Sequence, residues 1–470
     1  MPAYHGLAIL AAAAGVLGAA AAGAPATLLV EVHSPRAWFG SSALALQGPR
    51  DPVAMTTTWV YAPEEIVGYR PAASANKSAP AWSEDTTKDL KYQTLYVEST
   101  SGRTAALPKG TVDSLAFWNR KPHGITGDCH LIGFNSAAAP DLSFGPSRAG
   151  SWHYNLSTDC TNINGAVPWP RFALSDDGLT AVAWVQGAAA NLTIFCLDGQ
   201  TGALRWSLPV ACIGSCDYFL SYGVDVSDDG RWVVFDDGSL GEPHRLNVLD
   251  AATGKPRCAP VLSAGGISAH ISPSGDFMYT SDAEAQPSTG AFSTWRWDAA
   301  SGKYAKAGSG LPPVSSHSDG WVSAEYAFSV DAATNTTYLG VVWFDNTLLG
   351  ASVLAVYDAA APAKARSFYV MEPLNNTGMA NAGAVVDCSG ALCAAGFYTQ
   401  KVGGPQHTLV ALSGADAAFN FSYRTPGSVD AVSILEDRAS GLYYLLGVGC
   451  QSVGVCTKPG GDAYLFELAP

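Results

Sequence analysis

The stretch LDGQTGALRWSL (197–208) decides the fold. An acidic side chain at Asp198 can accept hydrogen bonds from N–H groups inside a tight turn, and Gly202 can take a positive φ at no steric cost. The alternating apolar residues on either side read as two antiparallel strands, so the stretch is a hairpin. Near-copies occur at LNVLDAATGKPRCAP (246–260), TWRWDAASGKYAKAG (294–308) and LAVYDAAAPAKARSF (354–368), with a degenerate copy at TLYVESTSGRTAALP (94–108).

A second hairpin series precedes these turns by about twenty residues. It reads FALSDDGLTAVAWV (172–185), VDVSDDGRWVVFDD (224–237), AHISPSGDFMYTSD (269–282), AFSVDAATNTTYLGVVWF (327–344), AVVDCSGALCAAGFY (384–398) and VSILEDRASGLYYLLG (432–447). Gly178 to Gly230 is 52 positions, Gly230 to Gly275 is 45 and Gly390 to Gly441 is 51. Four strands every fifty residues or so is the pattern of a β-propeller blade. Six such units fill 171–470, and the less regular 52–170 has room for two more, with VAMTTTWVYAPEEIVGY and TLYVESTSGRTAALP as the hairpins of one. The expectation is an all-β chain, a single propeller of seven or eight four-stranded blades, eight preferred, over 25–470. ATLLVEV (26–32) offers a spare strand to complete the last unit, which ends in YLFELAP (464–470), and so to close the ring.

The D-x-x-T/S-G turns resemble the repeats of WD40-like and quinoprotein (PQQ-like) propellers. In the quinoprotein repeat a tryptophan four residues after the glycine docks on the next blade. Asp198, Thr201, Gly202 and Trp206 match that pattern, and Cys258 stands where the tryptophan would be in the following unit. The resemblance implies a fold, not a function. The vicinal Cys-Cys pair usual beside a quinone cofactor is absent from the sequence, so a quinone is not expected.

The formal net charge of −14 and the lack of a Lys/Arg cluster argue against nucleic acid and anionic membrane as partners, because both need a basic footprint. Residues 1–24 form an alanine-rich apolar run ending in small residues, which reads as a signal peptide cleaved after Ala22 or Ala24. Ten cysteines suggest an oxidising compartment, with Cys212/Cys216, Cys388/Cys393 and Cys450/Cys456 as local pairs and Cys129/Cys160 and Cys196/Cys258 left over. Sequons stand at Asn76, Asn155, Asn191, Asn335, Asn375 and Asn420, although the chain has only fourteen asparagines. The expected protein is a secreted glycoprotein with no membrane span after cleavage.

HExxH, GxSxG and P-loop motifs are absent. The acidic pairs Asp176/Asp177, Asp228/Asp229 and Asp236/Asp237 are calcium candidates by composition, but the first two fall in turns that favour aspartate for local hydrogen bonding. Aligning Ser227 with Ser272 puts Asp225 and His270 at equivalent places on adjacent first strands, where they would line the central channel. SSHSDGWVSAEY (315–326) adds His317, Asp319 and Trp321 in a connection between blades. Two readings follow. The first is a binding module that takes an extracellular protein or carbohydrate at its rim and channel mouth, without a cofactor. The alternative is a metal-assisted hydrolase or lyase with its ion in the channel.

Overall fold

The computed structural model describes residues 26–34, 38–59, 65–73, 80–85, 94–99, 111–119, 129–138, 151–157, 171–186, 192–210, 223–237, 244–264, 269–281, 288–314, 320–345, 351–371, 384–398, 406–451 and 460–470. They form eight sheets, antiparallel but for one short parallel pair, arranged as an eight-bladed propeller. Blade 1 holds Trp38–Leu46, Pro52–Trp59, Glu65–Tyr69 and Trp82–Asp85. Blade 2 holds Thr94–Ser99, Ser114–Asn119, Cys129–Phe134 and Trp152–Ser157. Blade 3 holds Arg171–Leu174, Thr180–Gln186, Leu192–Asp198 and Leu204–Val210. Blade 4 holds Val224–Val226, Trp232–Asp236, His244–Asp250 and Val261–Ser263. Blade 5 holds Phe277–Ser281, Phe292–Asp298 and Lys303–Gly310. Blade 6 holds Gly320–Asp331, Thr336–Asp345, Ser352–Asp358 and Ser367–Met371. Blade 7 holds Ala384–Ser389, Leu392–Phe397, Leu409–Ser413 and Asn420–Tyr423.

Blade 8 takes Ser428–Asp437, Leu442–Cys450 and Gly461–Leu468, and its outermost strand is Ala26–Ser34 from the other end of the chain. The ring therefore closes as expected from ATLLVEV. First strands of neighbouring blades touch one another, which places them around the axis. Within a blade the strands run alternately up and down. Both hairpin turns thus open on one face, and the connections from second to third strand and to the next blade leave from the opposite face.

The apolar clusters lie between blades. One of them packs Leu115, Phe117 and Leu131 of blade 2 against Phe172, Leu174 and Ala181 of blade 3. Second strands are buried on both sides, as Leu442–Cys450 is throughout, and outermost strands alternate, as Lys303–Gly310 does. That gradient is why the inner hairpins read as continuous apolar runs.

Three details depart from the sequence reading. TLYVES is the first strand of blade 2, paired with Ser114–Asn119, and not part of an outer hairpin of blade 1; Trp38–Leu46 is the first strand of that blade. A Ser-Gly turn serves inner and outer hairpins alike, so the motif alone cannot assign the level. In blade 5 the first strand shrinks to one bridge, Ile271 to Met278. The backbone amides there turn to neighbouring side chains instead: His270 N–H donates to Tyr326 Oη (2.9 Å) and Ile271 N–H to Asp225 Oδ2 (3.2 Å). Finally, Ser288–Thr289 leaves blade 5 and pairs in parallel with Gly320–Trp321, on the inner side of blade 6.

Candidate functional site

The opening stretch behaves as a turn and a dock. Asp198 Oδ1 accepts from the N–H groups of Gln200 and Thr201 and from Thr201 Oγ1, at 3.2, 3.0 and 2.9 Å. Asp250 repeats the device with Thr253. Trp206 Nε1 donates to Ala251 O in blade 4 (2.9 Å), and its ring covers Gly254, where an added Cβ would come within 3.0 Å. Trp82 and Trp152 dock in the same way on Ser136 O and Gly199 O, although neither carries the Asp-Thr-Gly motif before it. Trp152 lies against Gly202, whose φ of +69° and crowded Cβ position both exclude a side chain.

The acidic pairs proposed for calcium are engaged elsewhere. Asp177 Oδ1 accepts from Ser175 Oγ and from Leu179 N–H, and Asp229 Oδ1 from Ser227 Oγ and Arg231 N–H, which completes the two inner turns. Asp236 meets His244 Nδ1 at 2.8 Å with both side chains buried, and Asp237 grips Arg245 through two hydrogen bonds. No group of three or more His, Cys, Asp or Glu placed to hold a metal ion occurs among the described residues.

Asp225 and His270 do meet at the channel wall, Oδ2 to Nδ1 at 3.4 Å. The carboxylate also accepts from Val226 N–H (2.8 Å) and from Ile271 N–H of the next blade. The His270 ring stands edge-on to Tyr326 at 5.3 Å, with Nε2 buried and unpaired. Nε2 is thus shut off from solvent while Nδ1 faces the carboxylate, and the side chain as a whole is 32 % exposed. His317 and Asp319 lie outside the described residues. Trp321 begins the first strand of blade 6, beside Thr289.

Two further channel carboxylates, absent from the sequence reading, share the role of Asp225. Asp387 accepts from Cys388 N–H (2.8 Å) and from Ile434 N–H of blade 8 (2.9 Å), and Glu325 accepts from Val386 N–H of blade 7 (3.1 Å). Each carboxylate ties its own first strand to the next one around the ring. The Asp-x-Ser pattern shared by 225–227 and 387–389 was the signal for Asp387. The bulge between Ser323 and Glu325 hides the third from any alignment. Nearby, Tyr398 is held in its neutral form by burial first, and then by the charges of Asp430 and Glu325. Asp225→Ala is therefore expected to cost about 1–3 kcal/mol of stability, because it strands two amides, one of them in a neighbouring blade. Urea denaturation checks this, and an unchanged midpoint would refute the tie.

Asp113 is a strongly perturbed carboxyl group. Burial pushes its pKa up to about 6, against hydrogen bonds from Ser136, Ser114 and Gln47. Such a group is a candidate site by default. Here its donors come from blades 1 and 2 and it is 4 % exposed, so it joins two blades and faces no ligand.

The cysteines divide. Cys388 and Cys393 are bonded across the inner hairpin of blade 7, and Cys129 and Cys450 are bonded to partners outside the described residues. Cys212, Cys216 and Cys456 lie outside them as well. Cys196 and Cys258, left over from the local pairs in the sequence, are free thiols. Cys196 is buried with Sγ on Ala251 O, whereas Cys258 packs among Trp232, Trp295 and Trp297 in a different interblade cluster. Burial pushes the Cys196 thiol up to about 12 and raises that of Cys258, so neither is primed as a nucleophile. Asn155, Asn335 and Asn420 are exposed; Asn76, Asn191 and Asn375 lie outside the described residues.

No known protein-family pattern matches the chain, and no curated protein sequence does. Solved structures do. The Dos1 propeller superposes over 93 % of this chain and 94 % of its own at 12 % identity, with a TM-score of 0.52. Sqt1 of Saccharomyces cerevisiae superposes over 94 % and 99 % at 11 % identity, with a TM-score of 0.54. A quinohemoprotein alcohol dehydrogenase from Comamonas testosteroni covers 94 % of this chain and 76 % of its own at 12 % identity and a TM-score of 0.48. The likeness to the Dos1 and Sqt1 structures establishes the propeller fold alone, and nothing about activity.

Proposed function

We propose that this protein is a secreted, glycosylated β-propeller that binds an extracellular protein or carbohydrate through its rim and the mouth of its channel, without catalysis. The observation that carries this reading is the engagement of the channel carboxylates. Asp225, Asp387 and Glu325 each hold a backbone amide in the next blade, so the axis is scaffold and recognition falls to the connections around it. The strand Ser288–Thr289, paired in parallel with Gly320–Trp321 inside blade 6, breaks the eightfold regularity at one sector of the ring. No helix among the described residues is long and apolar enough to cross a membrane.

The test is native mass spectrometry with elemental analysis on protein secreted from a eukaryotic host, followed by binding assays on glycan arrays and extracellular protein panels. Binding that survives Asp225→Asn and disappears when 315–319 is replaced supports the module. A stoichiometric metal lost on Asp225→Ala, together with turnover of a defined substrate, would replace it with the hydrolase or lyase reading. In the same sample Asn155, Asn335 and Asn420 are expected to carry N-linked glycans, since each side chain is exposed. Peptide mapping after enzymatic deglycosylation reads them as aspartate. Three unmodified asparagines would remove the secretory reading.

A further inference from the structure

We propose that His33 is a pH-sensitive latch on ring closure, which in its doubly protonated form holds the N-terminal strand to the buried carboxylate of Asp462 and in its neutral form lets that strand loosen. His33 and Asp462 face each other directly in the register between the strand Ala26–Ser34 and the strand Gly461–Leu468. His33 Nδ1 lies 2.5 Å from Asp462 Oδ1, and Nε2 lies 3.1 Å from Glu31 Oε1 on its own strand. A carboxylate can only accept, so both ring nitrogens must be donors for both contacts to hold. Only the imidazolium has two N–H groups; the neutral ring has one and must release an acid. The two contacts are therefore a statement about protonation state, made by geometry alone.

The surroundings make the loss matter. The Asp462 side chain is 3 % exposed, and its Oδ1 also accepts from the side-chain amide of Gln451 at 3.1 Å. Tyr464 of the same strand stands edge-on to the His33 ring at 6.0 Å, and Tyr423 from the outer strand of blade 7 packs on Tyr464 at 5.3 Å. Burial foremost, and then the neighbouring acids, hold both phenols neutral. Among the described residues the charged and titratable groups facing the latch are thus Glu31, Asp462 and these two tyrosines, and His33 is the cation among them that answers the buried carboxylate. The hydrogen bond with Asp462, aided by Glu31, raises the His33 pKa above its ordinary 6.5. A folded-state pKa above the unfolded value gives stabilisation that is complete below 6.5 and is lost as pH rises through the raised value. The closing strand is held in mildly acidic solution and slackens in alkaline solution.

Hydrogen exchange on the full chain tests this. Protection factors of the amides in 27–34, corrected for intrinsic rates, are expected to fall severalfold between pH 6 and pH 9, as the ring loses its second proton and one of its two contacts. Amides of the second strand of blade 3 are expected to stay level over that range. In His33→Gln, which keeps one donor and cannot be charged, the dependence is expected to vanish. Level protection in the native protein, or an equal slope in the variant, would overturn the latch. Should His33→Gln fail to fold, an NMR titration of the His33 ring in the native protein decides: a pKa at or below 6.5 rejects the proposal, and one above it, lowered by Asp462→Asn, sustains it.

Discussion

Trp343→Ala is expected to lower the unfolding free energy by about 3–5 kcal/mol, the range for deleting a large buried aromatic side chain. Trp343 lies in the second strand of blade 6 and is fully buried. Its ring sits 6.0 Å from Phe292 of blade 5 and 6.0 Å from Tyr357 of its own blade, in a cluster with Tyr279 and Tyr326. Its Nε1–H donates to Gly290 O at 3.1 Å, just beyond the Ser288–Thr289 strand that crosses from blade 5. The substitution therefore opens a cavity at the junction of two blades and frees the segment that lines the channel mouth. Trp343→Phe keeps most of the volume and loses only the donor, for about 1–2 kcal/mol. Equilibrium urea denaturation of the two variants checks both values. An alanine variant within 1 kcal/mol of the native protein would mean that the aromatic cluster does not hold these blades together.

The contrast between Trp343 and the channel acids shows what a sequence can disclose here. TTYLGVVWF alternates and then runs apolar, so a buried second strand is legible from composition and order. The turns are legible for the same reason, because an Asx turn needs its aspartate, its Thr or Ser and its glycine at fixed offsets within one short segment. The closing strand is legible because a chain ending one strand short needs another. Contacts between blades are different, since the two partners lie about fifty residues apart and no local pattern links them. Asp225 and His270 can be aligned through their serines, and they do meet, but the amide that Asp225 holds belongs to a backbone whose register no pattern fixes. Glu325 is displaced by a bulge, and Trp82 and Trp152 dock without the motif that announces Trp206. The connections that leave the opposite face follow no repeat in the sequence.

Arg257→Ala is expected to cost about 2–4 kcal/mol, more than a half-buried arginine usually would. Blades 1, 2 and 3 each send an outer-strand tryptophan to a carbonyl of the next blade, and in blade 4 that place is held by Cys258. The neighbouring Arg257 takes over the work. Its guanidinium lies between the rings of Trp232, at 3.8 Å, and of Trp297 in blade 5, at 3.9 Å. One terminal nitrogen donates to Gly275 O (2.6 Å) and to Tyr304 Oη (2.7 Å), both in blade 5. A planar cation stacked between two indoles gains from both faces, and its edge donates to a carbonyl in the inner turn of blade 5, a different anchor from the outer-turn carbonyls that the tryptophans meet. Lysine keeps the charge but has neither the plane nor the fork, so Arg257→Lys is expected to recover less than half of the loss. Cys258→Trp, which restores the residue used in the first three blades, is expected not to rescue Arg257→Ala, because an indole supplies no cation to stack between Trp232 and Trp297. Thermal and urea unfolding of the three variants decide. A lysine variant as stable as the native protein would show that charge alone joins blades 4 and 5, and the stacked geometry would then be incidental to it.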